Sequence, residues 1–190
     1  MTAEPVLRPP VPIEEQNMQH FKKRMLIDEE TIAARVKELG KEISAHFQDG
    51  NILFIGILKG SFVFMADLVR CVDVPCQIDF ARISSYGRGT VSSGQLDVIM
   101  DVGLPVADRD VILVDDIVDS GLTLSQYRQR LEQLEPRSVR VAAMIDKTSR
   151  REKHVNLDYC GFRIEDGFLV GYGLDCDECF RHLRAIYVLE

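Results

Sequence analysis

Apolar positions along the chain fall into two patterns, short unbroken runs and stripes of helical period, and their succession predicts strands that each lead into a helix. Ile52 to Leu58 is apolar throughout, and so is Val111 to Val114. Runs of this kind, without polar alternation, belong to strands buried on both faces, the interior of a parallel sheet. Behind the first run, Phe62, Met65, Ala66 and Val69 share a helix face, and behind the second Leu124, Tyr127, Leu131 and Leu134 do the same. Upstream, Ile32, Val36, Leu39, Ile43 and Phe47 form a third helical stripe, with Asp28-Glu29-Glu30 at its start, where the macrodipole favours negative charge. Residues 76–83, 95–100 and 138–145 read as further strands, and Pro136 prevents the third helix from continuing. The expectation is an α/β fold, a mainly parallel central sheet flanked by helices.

The chemistry concentrates where the strand at 111 stops. Asp115 and Asp116 follow it directly, then Ile117, Val118, Asp119 and the turn Ser120-Gly121-Leu122-Thr123, after which the helical stripe begins. Small residues at a helix N-terminus leave backbone N–H groups open to an anion, Gly121 permits close approach, and Ser120 and Thr123 add hydroxyls. Three carboxylates beside a phosphate cradle repel its anion unless the ligand also brings hydroxyls, a metal or developing positive charge. A sugar phosphate does this: Asp115 and Asp116 can accept from vicinal hydroxyls while the turn holds the phosphate. An acidic strand end that binds a metal or solvates a loop is the plainer alternative.

Two other strand ends carry lysines. Leu58-Lys59-Gly60-Ser61 is a second strand-to-helix turn, and the strand ending near Ile145 runs into Asp146-Lys147. At the ligand edge of an open α/β sheet the Lys147 ammonium can donate to a carbonyl oxygen, or it can pair with Asp146. Residues 84–94, rich in Gly and Ser, read as a hairpin loop or as a mobile lid hinged at Gly87, Gly89 and Gly94.

Val111 to Thr123 resembles the phosphoribosyl diphosphate (PRPP) binding motif of the type I phosphoribosyltransferases, and Asp119 narrows the likeness to the hypoxanthine/guanine members. The resemblance spans about residues 28–190 in five motifs that occur in the family's order. It implies the type I phosphoribosyltransferase fold with a small C-terminal hood: an N-terminal arm over 1–27, a core over 28–147 with the flexible loop 84–94, and a hood and purine-binding segment over 148–190, all one structural domain. It implies that Asp115, Asp116, Ser120, Gly121, Leu122 and Thr123 bind phosphate and ribose, and that Lys59, Gly60 and Arg181 meet pyrophosphate. A non-proline cis peptide adjoins the lysine in that family. By the same likeness Asp119 is the general base, Ser85 and Tyr86 belong to the catalytic loop, Lys147 reads the six-position oxygen of the purine, Phe168 stacks on the base and Leu169 offers backbone contacts to its edge. Asp175 binds the cofactor magnesium, to which Asp115 and Asp116 contribute through ribose hydroxyls or water.

The implied activity is purine salvage, in which hypoxanthine and guanine react with PRPP to give IMP and GMP with release of pyrophosphate, by a homodimer or homotetramer. The departures are Asp115 where the family generally has Glu, Ser120 where many members have Thr, and Leu169 for a common Val. They bear on base preference only. Three other readings stand beside this one: a xanthine-preferring enzyme, a PRPP-sensing regulator that binds nucleic acid, and a phospho-accepting signalling domain.

Charge and composition narrow these. The 190 residues carry 23 Lys and Arg against 30 Asp and Glu, a net −7, which disfavours a broad nucleic-acid or anionic-membrane surface. Residues 1–12 lack the apolar core of a secretory signal, and Ile52 to Val69 is broken by Lys59 and Asp67, each costing on the order of 3 kcal/mol at a bilayer centre, so a cytoplasmic location is expected. Five cysteines, an odd number, suit free thiols, and the single Cys176-Asp-Glu-Cys179 lacks a second ligand pair for zinc.

Overall fold

The computed structural model describes residues 22–84 and 96–190. Its central sheet has six strands in the order β4-β3-β2-β5-β6-β7. These are β2 (Ile52–Leu58), β3 (Cys76–Ser84), β4 (Asp97–Met100), β5 (Asp110–Val118), β6 (Ser138–Lys147) and β7 (Tyr159–Ile164). All neighbours pair in parallel except β4, which runs antiparallel to β3. The two apolar runs, β2 and β5, lie side by side at the centre. Their residues alternate between faces as a pleated strand requires: Ile52, Phe54, Ile112 and Val114 pack on one side, and Leu53, Ile55, Val111 and Leu113 on the other.

Helices α1 (Glu29–His46) and α2 (Phe62–Arg70) cover the first face, and α3 (Leu122–Glu132) covers the second with Leu124, Tyr127 and Leu131. The carboxylate of Asp28 caps α1 by accepting from the Thr31 N–H at 2.7 Å. The stripe expected on α3 is one residue too long. The helix stops at Glu132, and Leu134 lies past its end, 43% exposed. No helix among the described residues is long and apolar enough to cross a membrane.

A second, three-stranded antiparallel sheet, β1-β9-β8, forms the hood from β1 (Lys23–Ile27), β8 (Phe168–Val170) and β9 (Ile186–Leu189). Part of the stretch expected as an N-terminal arm is therefore a hood strand. The sixth strand of the central sheet, β7, was not visible in the apolar pattern. It is an edge strand with Gly161 at its middle and an exposed Arg163, and its pattern is correspondingly weak.

Helices α1 and α2 meet at Gly40, where a Cβ would lie 2.4 Å from the Cys71 carbonyl oxygen and 2.5 Å from the Cys71 Cβ. In an open helix Gly→Ala gains up to about 1 kcal/mol; here overpacking costs roughly 1–3 kcal/mol and outweighs it. Gly40→Ala is expected to lower Tm by about 4–8 °C for a net loss of about 2 kcal/mol in a chain of this size. Thermal unfolding followed by circular dichroism checks this, and an unchanged or raised Tm would show that the helices separate without cost.

Candidate active site

Strand β5 brings its two carboxylates to the C-terminal edge of the sheet because the apolar run before them is locked in register between β2 and β6. The chain then turns through Asp119-Ser120-Gly121 into α3. Gly121 has φ 78°, a left-handed conformation, and a Cβ there would lie 2.5 Å from the Lys153 carbonyl oxygen, so the turn requires glycine twice over. A cavity of about 220 Å³ lies against this turn, lined by Asp115, Asp116, Ile117, Val118, Asp119, Ser120, Gly121, Thr123 and Leu124. The first N–H groups of a helix have no intrahelical acceptor, and here they belong to the segment that lines the cavity. The Ser120 hydroxyl accepts from the Leu122 N–H at 3.3 Å and so stiffens the turn.

Asp115 and Asp116 are recessed and adjacent. Burial, then the neighbouring Asp116 charge, holds the Asp115 carboxyl well above the usual carboxylate range. Burial also raises Asp116, against hydrogen bonds from Asp115 and the backbone and the more distant charge of Arg181. A pair of this kind favours ligands that bring hydroxyl donors or positive charge.

The turn after β2 closes on the same point. The Leu58–Lys59 peptide is cis, as the family likeness implied. A Cβ on Gly60 would stand 1.7 Å from Asp116 Oδ2, and one on Gly173 would stand 2.2 Å from the Gly60 carbonyl oxygen. Three segments far apart in sequence thus meet at Gly60. Beside them lies a chain of ion pairs: Lys59 Nζ to Glu178 Oε1 at 2.7 Å, Arg181 Nη2 to Glu178 Oε2 at 3.1 Å, and Arg181 Nη2 to Asp175 Oδ1 at 2.9 Å. Hydrogen bonds from Lys59 and Arg181 hold the Glu178 carboxyl below its ordinary range. Asp175 Oδ2 accepts from the Glu178 N–H at 2.8 Å. Among the described residues no group of three or more His, Cys, Asp and Glu forms a metal cage. The donor set still fits Mg²⁺, which is commonly bound by one or two carboxylates together with phosphate oxygens of its ligand.

A second cluster gathers around Asp119 and Lys147. Lys147, buried at 7% exposure, ends β6, and its Nζ lies 4.0 Å from Asp119 Oδ2 and 3.7 Å from Asp166 Oδ1. Arg150 Nη1 stands 3.6 Å from Asp119 Oδ2, while the buried Asp119 Oδ1 has no hydrogen-bond partner among the described residues, an acceptor open to a ligand proton. Phe168, two residues beyond Asp166, exposes 55% of its surface at the start of β8, and Leu169 beside it is buried and paired with Val188. Ser85 and Tyr86, and the loop that contains them, lie outside the described residues. Sequence reasoning passed over Glu178, Asp166 and the segment Arg150-Arg151, because their partners are Lys59, Lys147 and Asp119, remote in the chain. Their only signal was a density of charge close to motif residues.

A family model described as the phosphoribosyl transferase domain matches residues 24–177. The chain belongs to the phosphoribosyltransferase family. It is 43% identical over 173 residues to the hypoxanthine-guanine phosphoribosyltransferase of Bacillus subtilis (strain 168), covering 91% of this chain and 96% of that one. To the hypoxanthine phosphoribosyltransferase of Escherichia coli (strain K12) it is 42% identical over 164 residues, 85% of this chain and 92% of the relative. Among solved structures, a hypoxanthine phosphoribosyltransferase from Staphylococcus aureus superposes with a TM-score of 0.86 at 35% identity, covering 94% of this chain and 96% of that one. This phosphoribosyltransferase is accordingly an enzyme with the type I α/β fold, its mostly parallel sheet carrying the site at the C-terminal edge.

The recessed acid pair sets a pH dependence for the enzyme's stability. Folded Asp115 holds its proton more tightly than the unfolded chain does. Its favourable contribution is therefore complete below the ordinary carboxylate range and is lost as pH rises from there through the raised value. Asp115→Asn removes that loss and keeps the Oδ1 that accepts from the Asp116 N–H at 3.0 Å. The Tm difference, variant minus parent, is expected to grow in favour of the variant as pH rises above the ordinary carboxylate range, near pH 4. A difference that stays flat over that rise would mean that the carboxyl is not perturbed.

Proposed function

We propose that this phosphoribosyltransferase transfers ribose 5-phosphate from PRPP to hypoxanthine, and to guanine, with magnesium and with release of pyrophosphate. The observation that carries the reading is the meeting, at one sheet edge, of a cradle at the start of α3 with Asp119, whose Oδ1 has no partner among the described residues, and a buried lysine 4.0 Å from its Oδ2. A phosphate, an acidic ring N–H and a ring carbonyl are the three features of a ligand that such groups address. The names borne by the relatives support the same substrates.

In this reading the turn 120–123 holds the 5-phosphate, and Asp115 and Asp116 grip the ribose hydroxyls, which relieves their mutual repulsion. Lys59, the Gly60 backbone and Arg181 receive pyrophosphate, and the pairs that Glu178 makes with both cations open to admit it. Asp175 holds the magnesium, which when bound offsets the charge of the departing pyrophosphate. Phe168 stacks on the purine, the Leu169 backbone meets its edge, and Lys147 donates to the six-position oxygen. Asp119 accepts the ring proton as the nitrogen attacks the cation-like ribose carbon. Ser85 and Tyr86 take the catalytic-loop role that the family likeness gives them, which is to keep water from that carbon. The homodimer or homotetramer expected of the family is part of the same proposal; exposed Phe62, Ile78, Ile99 and Met100 supply apolar surface for it.

Asp119→Asn keeps the side chain's shape and removes its basicity. It is expected to lower kcat on hypoxanthine by at least about 100-fold, the usual share of general-base catalysis, while PRPP affinity by calorimetry stays within about threefold of the parent's. Loss of PRPP binding would make Asp119 a structural residue, and full turnover would assign the proton to another group.

A further inference from the structure

The segment after β6, charged and loop-like in sequence, is a brace across the turn that follows β5. Three successive carbonyl oxygens of that turn are received by three successive residues of the segment. Arg151 Nη2 donates to Val118 O at 2.8 Å, and Arg151 Nε donates to Asp119 O at 3.0 Å. The Glu152 and Lys153 N–H groups both donate to Ser120 O, at 2.9 and 3.0 Å. The same Arg151 Nη2 also reaches Lys147 O at 3.2 Å, so one guanidinium joins the backbones of Asp119 and Lys147. Its own position is set by the side chain of Asp146, whose Oδ1 lies 2.5 Å away and whose Oδ2 is 3.4 Å from Arg163 Nε. Both members of the Arg151–Asp146 pair are mostly buried, with side-chain exposures of 18% and 11%. The hydrogen bonds that Arg151 gives to the cavity lining go to backbone carbonyls, those of Val118 and Asp119.

We propose that Arg151 is a positioning residue for the transfer reaction, holding the Asp119 and Lys147 backbones at the separation that lets one accept a proton from the base while the other donates to its oxygen. The inference rests on the roles given above to those two residues. Only a planar fork with several fixed N–H directions spans carbonyls from two different strands and a carboxylate; the single ammonium of lysine does not. The phosphate cradle has separate support, since the Ser120 carbonyl is held by backbone N–H groups. Loss of the fork therefore disturbs proton transfer and base reading more than PRPP binding.

The test compares the parent with Arg151→Ala and Arg151→Lys, measuring kcat and the KM for PRPP and for hypoxanthine, with Tm for each protein. For Arg151→Ala, kcat is expected to fall about 100-fold, the scale of a misplacement near 1 Å, with KM for PRPP within about threefold. Millimolar guanidinium is expected to recover at least about tenfold of that loss, and ammonium to recover none. Arg151→Lys is expected to keep a Tm close to the parent's and still lose most of kcat. Should Arg151→Ala fail to fold, the lysine variant decides. Parent-level kcat in either folded variant overturns the proposal, and so does a loss in which KM for PRPP climbs in step with the fall in kcat and guanidinium restores nothing. A parent inactive on every purine overturns the underlying reading instead, and this proposal with it.

Discussion

The approach of Asp116 to Gly60 is the contact on which the site depends. With an ideal Cβ only 1.7 Å from Asp116 Oδ2, any side chain at position 60 would displace the Asp116 carboxylate, and the Gly60 carbonyl in turn leaves no room for a side chain at Gly173. The end of β5 therefore meets the turn after β2 through the Asp116 carboxylate, and that turn meets the approach to Asp175 backbone to backbone. Side chains then do the chemistry. This closure is possible because β2 and β5 are neighbours in the sheet, in register from Ile52 with Asp110 to Gly56 with Val114, and both are buried on both faces.

Charge is then divided between two clusters. One holds Lys59, Arg181, Asp175 and Glu178, and the other holds Asp119, Lys147, Arg150 and Asp166. Each is a set of ion pairs, partly exposed, that contribute little to stability and separate readily. The acid pair, buried and mutually repelling, carries a cost that its hydrogen bonds and the charge of Arg181 offset only in part. An arrangement of this kind gains most from a ligand that has anionic ends and a hydroxylated centre, and PRPP has that distribution.

Much of this was legible in the sequence because the informative features are local. The run from Val111 to Thr123 encodes its own strand, turn and helix start, and Lys59-Gly60 sits between an apolar run and a helical stripe. Lys147 stood out because it ends a buried strand. Features set by distant packing were not legible. The brace made by Arg151 depends on carbonyls some thirty residues earlier, Glu178 acts through Lys59, and β7 is an edge strand whose place is set by pairing with β6. Gly40 and Gly173 give no sign in sequence of the backbones pressed against them.

In the proposed function this sheet edge joins an oxopurine to the ribose of PRPP. That reaction is tested most directly by an absorbance assay of the protein with PRPP and magnesium, offering hypoxanthine, guanine, xanthine and adenine in parallel. The account predicts conversion of hypoxanthine, and of guanine, with adenine left untouched. Conversion of xanthine in preference would contradict the assigned substrate. Silence on all four bases with PRPP still bound would contradict the enzyme reading and favour a PRPP-sensing regulator.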